Sequence, residues 1–175
     1  MNTSSPLPKM YNSLSDVTGS VANYAPLTPI SFLSRTADVY PRQTSLIYGE
    51  QQYTWAETER RCQQMAHALK GLGLQPHDTV SVLAFNTPET FEAHFFVAMA
   101  GGVLNTINTR LDEATVTYIL DFAETSILMA DRELLAAATP GLRARQQHTG
   151  KKIPVILIDD AAAATQPDLP DDLTI

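Results

Sequence analysis

Hydrophobic and polar positions along this chain follow two spacings in turn, one typical of buried strands and the other of amphipathic helices. Short, mostly apolar runs predict strands at residues 79–85, 103–104, 126–130 and 153–158. The stretches between these runs carry apolar residues at helical spacing. Parallel strands need such crossovers, because consecutive parallel strands cannot be joined by a tight turn. The pattern therefore predicts an α/β fold with a doubly wound, mostly parallel sheet and helices on both faces.

Capping residues predict where the helices begin and end. Thr28, Thr87 and Asp112 each precede a helical stretch and can accept hydrogen bonds from its first free N–H groups. Thr54 and Glu57 form a capping box, and the helix that follows is expected to stop at Gly73. The residues expected on the apolar faces of these four helices are Ile30, Leu33, Ala37 and Tyr40; Trp55, Thr58, Cys62, Met65, Leu69 and Leu72; Phe91, Phe95, Ala98 and Met99; and Val116, Ile119 and Leu120.

Two further elements complete the predicted subdomain. Residues 46–48 and 51–53 flank Gly49-Glu50, and a glycine at the first position of a two-residue turn favours a type II′ β-hairpin near the N-terminus. Asp131 is expected to open a last helix that Pro140 interrupts. The predicted division of the chain is an N-terminal arm at 1–27, an α/β subdomain at 28–160 and a solvated linker at 161–175.

The composition narrows the range of partners. The chain has 175 residues, of which 44% are hydrophobic, and this is enough to line one core. A net charge of −7 provides no broad positive field for nucleic acid. The longest apolar run, at 95–104, is about half the length that a transmembrane helix needs. Because the N-terminus also lacks a secretory signal and the single cysteine cannot form an internal disulfide, a cytoplasmic location is expected.

The polar loop at 101–112 is the most informative motif, because Asn105, Asn108 and Arg110 follow a short apolar strand and precede a helix. Other short motifs occur in a fixed order at 28–33, 35–37, 40–41, 53–57, 72–74, 78–80, 86–89 and 92–95. Taken together, these motifs resemble the N-terminal portion of acyl-CoA synthetases, the fatty- and medium-chain acid ligases of the adenylate-forming, AMP-binding superfamily.

The resemblance implies a ligase that uses ATP, Mg²⁺ and CoA to convert a carboxylic acid, expected to be a fatty or medium-chain acid, into an acyl-adenylate and then an acyl-CoA. Members carry a Ser/Thr/Gly-rich phosphate loop that ends in Pro-Lys-Gly. Here the only Pro-Lys pair is Pro8-Lys9, and residues 150–152 lack the upstream glycine of a phosphate loop. The chain is therefore expected to be a ligase fragment that is inactive by itself and binds none of these cofactors, with no catalytic, cofactor-binding or metal-binding residue assigned.

Two consequences of this interpretation stay open. The alternative function is a stand-alone, non-catalytic α/β binding or scaffold module that derives from or resembles such ligases. A parallel sheet without its partner layers would also expose apolar surface, and self-association of the fragment is compatible with that exposure.

Most of the side chains that could take part in catalysis or metal binding are expected to have structural roles. Cys62 lies on an apolar helical stripe, so core packing is expected. His67, His77, His94 and His148 have no metal-ligand spacing. His94 is the least ordinary of them, because it lies on the helix that follows the Asn-Thr-Pro-Glu motif. Packing or surface hydrogen bonding is still favoured for it over a substrate role.

The charged loop residues allow two interpretations. The pairs Asp159-Asp160 and Asp171-Asp172 are adjacent in sequence, and adjacent carboxylates do not converge on one site as a general acid and base must, so solvation is expected. Arg110 could clamp a phosphate with its planar set of donors. Because it follows two asparagines in a loop, bracing of that loop is the favoured role.

Overall fold

The computed structural model describes residues 28–160, 167–170 and 173, so the predicted N-terminal arm lies outside the described residues. The helices are α1 (Pro29–Val39), α2 (Trp55–Gly71), α3 (Pro88–Ala100), α4 (Glu113–Phe122) and α5 (Leu135–Thr149). The strands are β1 (Thr44–Tyr48), β2 (Gln51–Thr54), β3 (Thr79–Leu83), β4 (Val103–Thr106), β5 (Thr125–Asp131) and β6 (Val155–Ile158). A 3₁₀ turn at Arg132–Leu134 leads into α5.

Four of these strands form one parallel sheet in the order β4-β3-β5-β6, and β1 pairs with β2 as an antiparallel hairpin. In the sheet, Val80 of β3 stands in register with Leu104 of β4 and with Ile127 of β5. In the hairpin turn, Gly49 has a φ of +57° and Glu50 has no positive φ, which is the φ pattern of a type II′ turn. The predicted α/β class, with its parallel sheet, flanking helices and hairpin, is confirmed.

Each face of the sheet carries its own hydrophobic core. Helices α1, α2 and α3 cover the face that presents Val80 and Val82, whereas α4 and α5 cover the face that presents Leu83 and Leu128. The strands are apolar nearly throughout because both of their faces are covered. Leu169 and Leu173 also pack against the second core, so the segment predicted as a solvated linker is not wholly solvated.

The predicted helix caps are confirmed. The side-chain oxygens of Thr28, Thr54, Thr87 and Asp112 each accept a hydrogen bond from the N–H group three residues ahead. At α2 the carboxylate of Glu57 accepts the Thr54 N–H in return, at 2.8 Å. The same helix ends before Gly73, which has a φ of +95°. The N–H groups of Gly73 and Leu74 bond back to the carbonyls of Lys70 and Leu69, which completes a Schellman motif.

The two predictions for the last helix need correction. Asp131, the final residue of β5, does stand at the N-cap of the 3₁₀ turn that leads into α5, but its side chain makes no capping hydrogen bond. Helix α5 continues through Pro140 without a break. A proline inside a helix removes one backbone hydrogen bond, but burial of Leu135, Ala138 and Leu142 in the second core compensates for that loss. Tertiary packing therefore outweighs the local preference.

The predicted apolar faces also need correction. In α3 the buried residues are Pro88, Glu92, Ala93, Phe96, Val97 and Ala100, while Phe91, Phe95 and Met99 are half-buried. Apolar residues surround most of this helix, so their spacing does not identify one face. Tyr40, Leu72 and Ala98 were expected inside and are exposed. Strand β3 ends two residues early because the Phe85 N–H bonds to the Asp131 carboxylate and not to a neighbouring strand.

The close approach of α4 to Gly141 leads to a testable prediction about stability. A Cβ atom at this position of α5 would lie 2.9 Å from the Thr117 Cα and 2.9 Å from a methyl carbon of Leu120, both in α4. Since the Thr117 backbone cannot yield, we expect Gly141→Ala to lower the free energy of unfolding by about 1–3 kcal/mol. Gly71, the last residue of α2, meets nothing within 4 Å, and Gly71→Ala should leave that free energy unchanged or raise it by up to about 0.5 kcal/mol. Denaturant unfolding of both variants tests this, and equal effects would contradict the close contact.

Candidate functional site

The carboxyl edge of the parallel sheet is where α/β folds place ligands. The chain leaves β3 through α3 towards β4, and leaves β5 through α5 towards β6, so the connections diverge between β3 and β5. This divergence defines a topological switch point. Helices α3 and α4 begin at the same edge, and the positive ends of their dipoles favour negatively charged groups there.

Asp131 occupies the switch point. It is only 3% exposed, and its Oδ2 accepts a hydrogen bond from the Phe85 N–H. Its Oδ1 is buried and has no hydrogen-bond partner in the described part of the chain. Burial raises the pKa of this carboxyl group above the ordinary range, and the nearby charges of Asp160, Glu133 and Glu89 raise it further against the opposing effect of the Phe85 N–H.

Tyr48 of the β-hairpin lies near the same edge. Its hydroxyl donates a hydrogen bond to the Asp160 carboxylate, which follows β6. This bond, with burial, raises the pKa of Tyr48 to about 12. Asp159, the residue before Asp160, forms an ion pair with Arg132 at 3.0 Å. The predicted solvation therefore holds for Asp159, which is exposed although ion-paired, but not for Asp160, which is half-buried and hydrogen-bonded. Asp171-Asp172 lies outside the described residues.

The raised pKa of Asp131 predicts the direction of a pH effect. A carboxyl group whose pKa is higher in the folded state binds its proton more tightly there. Wild type should therefore lose stability relative to Asp131→Asn as pH rises from the ordinary Asp pKa through the raised one. Asp112 is the opposite case, because its bonds to the α4 N-terminus lower its pKa. Wild type should lose stability relative to Asp112→Asn as pH falls.

Denaturant unfolding of wild type and both variants from about pH 2.5 to about pH 8 provides the measurement, because the Asp112 effect is expected below the ordinary Asp pKa of about 3.9 and the Asp131 effect above it. The comparison across pH removes any constant effect of the amide. A stability difference for Asp131→Asn that does not change with pH would contradict the raised pKa.

A cleft of about 420 Å³ lies beside the switch point, between α3 and the end of β4. Its walls include Val82, Ala84 and Ile107. The side chains that can exchange hydrogen bonds in it are Asn86, Thr90, His94, Thr106, Asn108 and Thr109. We refer to it as the α3–β4 cleft. Its mixed lining, with apolar walls and several polar groups, suits a small polar ligand.

The loop at 105–110 forms one rim of the α3–β4 cleft, and its own side chains hold it in place. Asn105 donates from Nδ2 to the buried Ser81 hydroxyl at 2.9 Å, and Ser81 in turn lies 2.7 Å from the Thr125 hydroxyl. The Oδ1 of Asn108 accepts the backbone N–H of Arg110 at 2.9 Å. Two asparagines therefore fix the loop.

Arg110 does not brace this loop with its side chain. The residue is exposed, and its guanidinium group makes no hydrogen bond or ion pair with the described residues. The bracing role favoured from the sequence is therefore wrong. Arg110 follows Thr109, the last residue that lines the cleft, and its five guanidinium N–H donors have no partner among the described residues.

His94 extends from α3 into the same cleft. Its Nδ1 lies 3.0 Å from the carbonyl oxygen of Thr90, one helical turn earlier. This is the surface hydrogen bond that was favoured from the sequence. The structure adds that Thr90 and His94 share the face of α3 that lines the cleft, which helical spacing could have suggested once the cleft was known.

The other candidate residues have structural positions. Cys62 is fully buried in the first core, and burial raises the pKa of its thiol to about 12, which opposes formation of a thiolate. His67 and His77 are exposed. His148 is also exposed, with Nδ1 3.7 Å from the Asp121 carboxylate. Across residues 28–160, 167–170 and 173, no group of three or more His, Cys, Asp and Glu side chains could hold a metal ion.

One ionic network was not foreseen from the sequence. Glu92 of α3 is 3% exposed, and its two carboxylate oxygens accept from Nε and Nη2 of Arg61 at 2.5 and 2.9 Å. Arg61 also contacts Glu89 at 3.1 Å, and its guanidinium lies 4.6 Å from the centroid of the Tyr53 ring. The network joins the hairpin and α2 to α3, the helix that also carries Thr90 and His94 of the cleft.

Comparisons with known proteins identify the family of this α/β unit. The family described as AMP-binding enzyme matches residues 33–173, and the chain belongs to it. The chain is 44% identical over 154 residues to a peroxisomal trans-cinnamate:CoA ligase of Petunia hybrida, covering 83% of this chain and 27% of that protein. It is 44% identical over 147 residues to a peroxisomal butyrate–CoA ligase of Arabidopsis thaliana, covering 83% of this chain and 26% of that protein.

A solved structure agrees with these relatives at the level of fold. A benzoate CoA ligase from Burkholderia xenovorans superimposes with a TM-score of 0.67 at 23% identity, covering 74% of this chain and 25% of that one. The resemblance to acyl-CoA synthetases noted from the sequence is confirmed. The chain spans about a quarter of the length of the curated relatives it matches. No helix in the described ranges is long and apolar enough to cross a membrane.

Proposed function

We propose that the whole protein is an ATP-dependent acid–CoA ligase. In the first step a carboxylate oxygen attacks the α-phosphate of ATP, which releases pyrophosphate and forms an acyl-adenylate. In the second step the CoA thiol attacks the acyl carbon, and AMP leaves in place of the much poorer leaving group hydroxide. The substrate in this proposal is a fatty or medium-chain acid. The identity to named CoA ligases over 83% of the chain supports this class of reaction.

The observation that carries the proposal into this chain is the position of Arg110. Arg110 lies in the loop between β4 and α4, one residue beyond Thr109 of the α3–β4 cleft, and its guanidinium makes no hydrogen bond or ion pair with the described residues. Arginine binds phosphate bidentately, and helix N-termini add a favourable field. We infer that Arg110 contacts a phosphate of CoA or ATP in the whole enzyme.

The proposal assigns only part of the reaction to this chain. Residues 28–160 are taken as an N-terminal subdomain that is inactive by itself and does not bind ATP, Mg²⁺ and CoA in a productive way. The described residues offer no three-ligand metal cluster, so no magnesium ligand is assigned to them. Exposed apolar residues such as Tyr118 and Phe122 are compatible with self-association. The predicted cytoplasmic location is not included, since the two relatives above are named as peroxisomal.

Paired assays on the 175-residue chain and the whole protein test this proposal. We expect the whole protein to catalyse acid-dependent exchange of pyrophosphate into ATP and to form a CoA thioester. The chain by itself should give neither signal above a no-protein control. Exchange by the chain would overturn its assignment as an inactive portion. A correctly folded whole protein without either activity, across short, medium, long and aromatic acids, would favour a non-catalytic module.

A further inference from the structure

We propose that His94 is a substrate-binding residue whose Nε2 accepts a hydrogen bond from an N–H or O–H group of the nucleotide substrate held in the α3–β4 cleft. This inference rests on the proposed ligase function and adds a recognition role that goes beyond the charge of Arg110. The ligand chemistry is that of an adenine nucleotide. Both ATP and CoA carry one, with an exocyclic amine and ribose hydroxyl groups as donors.

The hydrogen bond on the other ring nitrogen decides what Nε2 can do. Nδ1 lies 3.0 Å from the Thr90 carbonyl oxygen, which can only accept. Nδ1 must therefore carry the hydrogen, and in the neutral ring this leaves Nε2 with a lone pair and no hydrogen. The ring orientation is fixed as well, because Thr90 and His94 belong to the same helix and are one turn apart. His94 consequently offers an oriented acceptor.

The Nε2 acceptor of His94 is not used by the residues around it. Nε2 has no hydrogen-bond partner in residues 28–160, and the ring lines the cleft. Asn86 borders the same space, and its side-chain amide likewise forms no hydrogen bond with the described residues. The Asn108 Oδ1 is engaged with the Arg110 N–H. The hydroxyls of Thr106 and Thr109 in the same cleft can donate or accept, whereas Nε2 of this His94 tautomer can only accept. A ligand donor placed between α3 and the loop at 105–110 would meet His94.

Three substitutions separate the role of Nε2 from the rest of the ring. Asn has an amide at the position of Nδ1 but no atom at Nε2. Phe keeps the shape of the ring and has no nitrogen. Gln reaches with its amide to the position of Nε2 and can accept there. The variants His94→Asn and His94→Phe thus remove the acceptor in different ways, and His94→Gln restores it. His94 is exposed, so all three chains are expected to fold.

The experiment measures kcat and KM for ATP and for CoA in the whole protein. We expect His94→Asn and His94→Phe to raise the KM for one nucleotide at least about fivefold, as the loss of one hydrogen bond does, with His94→Gln within about twofold of wild type. The nucleotide whose KM changes identifies the ligand in the cleft. Equal effects of all three variants, or no effect of any, would overturn the inference.

The design also separates this inference from the proposed function. An active wild-type ligase with His94 variants that do not differ would refute the role of His94 and leave the ligase assignment intact. A wild-type protein without acid-dependent thioester formation would refute both. Thermal melting of each variant shows whether a change in KM reflects binding, because a purely structural role for the Thr90–His94 bond would lower the melting temperature of His94→Phe and leave KM unchanged.

Discussion

Replacing Arg61 by alanine should lower the free energy of unfolding at neutral pH by about 2–4 kcal/mol, somewhat below the range for a fully buried ion pair because the Arg61 side chain is itself 30% exposed. The expected loss is large because the Glu92 carboxylate is 3% exposed and would keep its charge without a partner. Burial already raises the pKa of Glu92 against the opposing effect of Arg61. Without Arg61 that carboxyl group should bind a proton more readily, so the loss of stability should shrink as pH falls.

Two control variants sharpen this experiment. Arg60 is the neighbouring arginine on α2 and is exposed, so Arg60→Ala should change stability by less than about 0.5 kcal/mol. The double variant Arg61→Met with Glu92→Leu removes both charges together and should recover most of the loss, since apolar replacement of a buried pair is often neutral. The measurement is the denaturant midpoint and slope of each variant at about pH 7 and at about pH 5. A double variant no more stable than Arg61→Ala would show that the loss comes from packing and not from the unpaired charge.

The features that sequence predicts well are the ones carried by residues close together in the chain. The capping box at Thr54 and Glu57 spans three residues, and its reciprocal hydrogen bonds depend only on local geometry. The same holds for the left-handed position of Gly73 and the turn at Gly49. The order of strands and helices follows from apolar spacing, and the need for crossovers then makes the sheet parallel.

The features that sequence misses depend on groups brought together by the fold. Arg61 and Glu92 are 31 residues apart, and both are charged, so helical spacing would place them outwards. Aspartate is a common helix-capping residue, so local sequence favours a capping role for Asp131. Its carboxylate instead accepts a hydrogen bond from the Phe85 N–H, just beyond the end of β3. Pro140 is tolerated because α5 packs tightly on α4 through Gly141. In each case a distant partner outweighs the local preference.

The candidate site shows the same limit more clearly. The loop at 101–112 can be found from its composition, and it is one of the ordered motifs on which the family resemblance rests. Its asparagines do hold the loop, as their type suggests. The direction of the Arg110 guanidinium is not fixed by its sequence neighbours, because a long side chain has many rotamers. The cleft that makes His94 relevant exists only once α3 packs beside β4.

Replacing Arg110 by lysine should raise the KM for CoA or for ATP in the whole enzyme by roughly tenfold or more, equivalent to about 1–3 kcal/mol of binding. Lysine keeps the charge but loses the planar pair of donors that binds two phosphate oxygens at once. The melting temperature should hardly change, because the guanidinium makes no hydrogen bond or ion pair with the described residues and the loop is held by Asn105 and Asn108.

A matched variant separates phosphate binding from loop structure. Asn108→Ala removes the acceptor of the Arg110 N–H and leaves the guanidinium in place, so it should lower the melting temperature more than Arg110→Lys does. If Arg110 instead braced the loop, Arg110→Lys would be the variant that melts earlier, with both Michaelis constants within about twofold of wild type. The KM that rises identifies the nucleotide whose phosphate lies at the carboxyl edge of β4. An effect on both constants together would indicate a general disturbance of the site, which the unengaged position of Arg110 argues against.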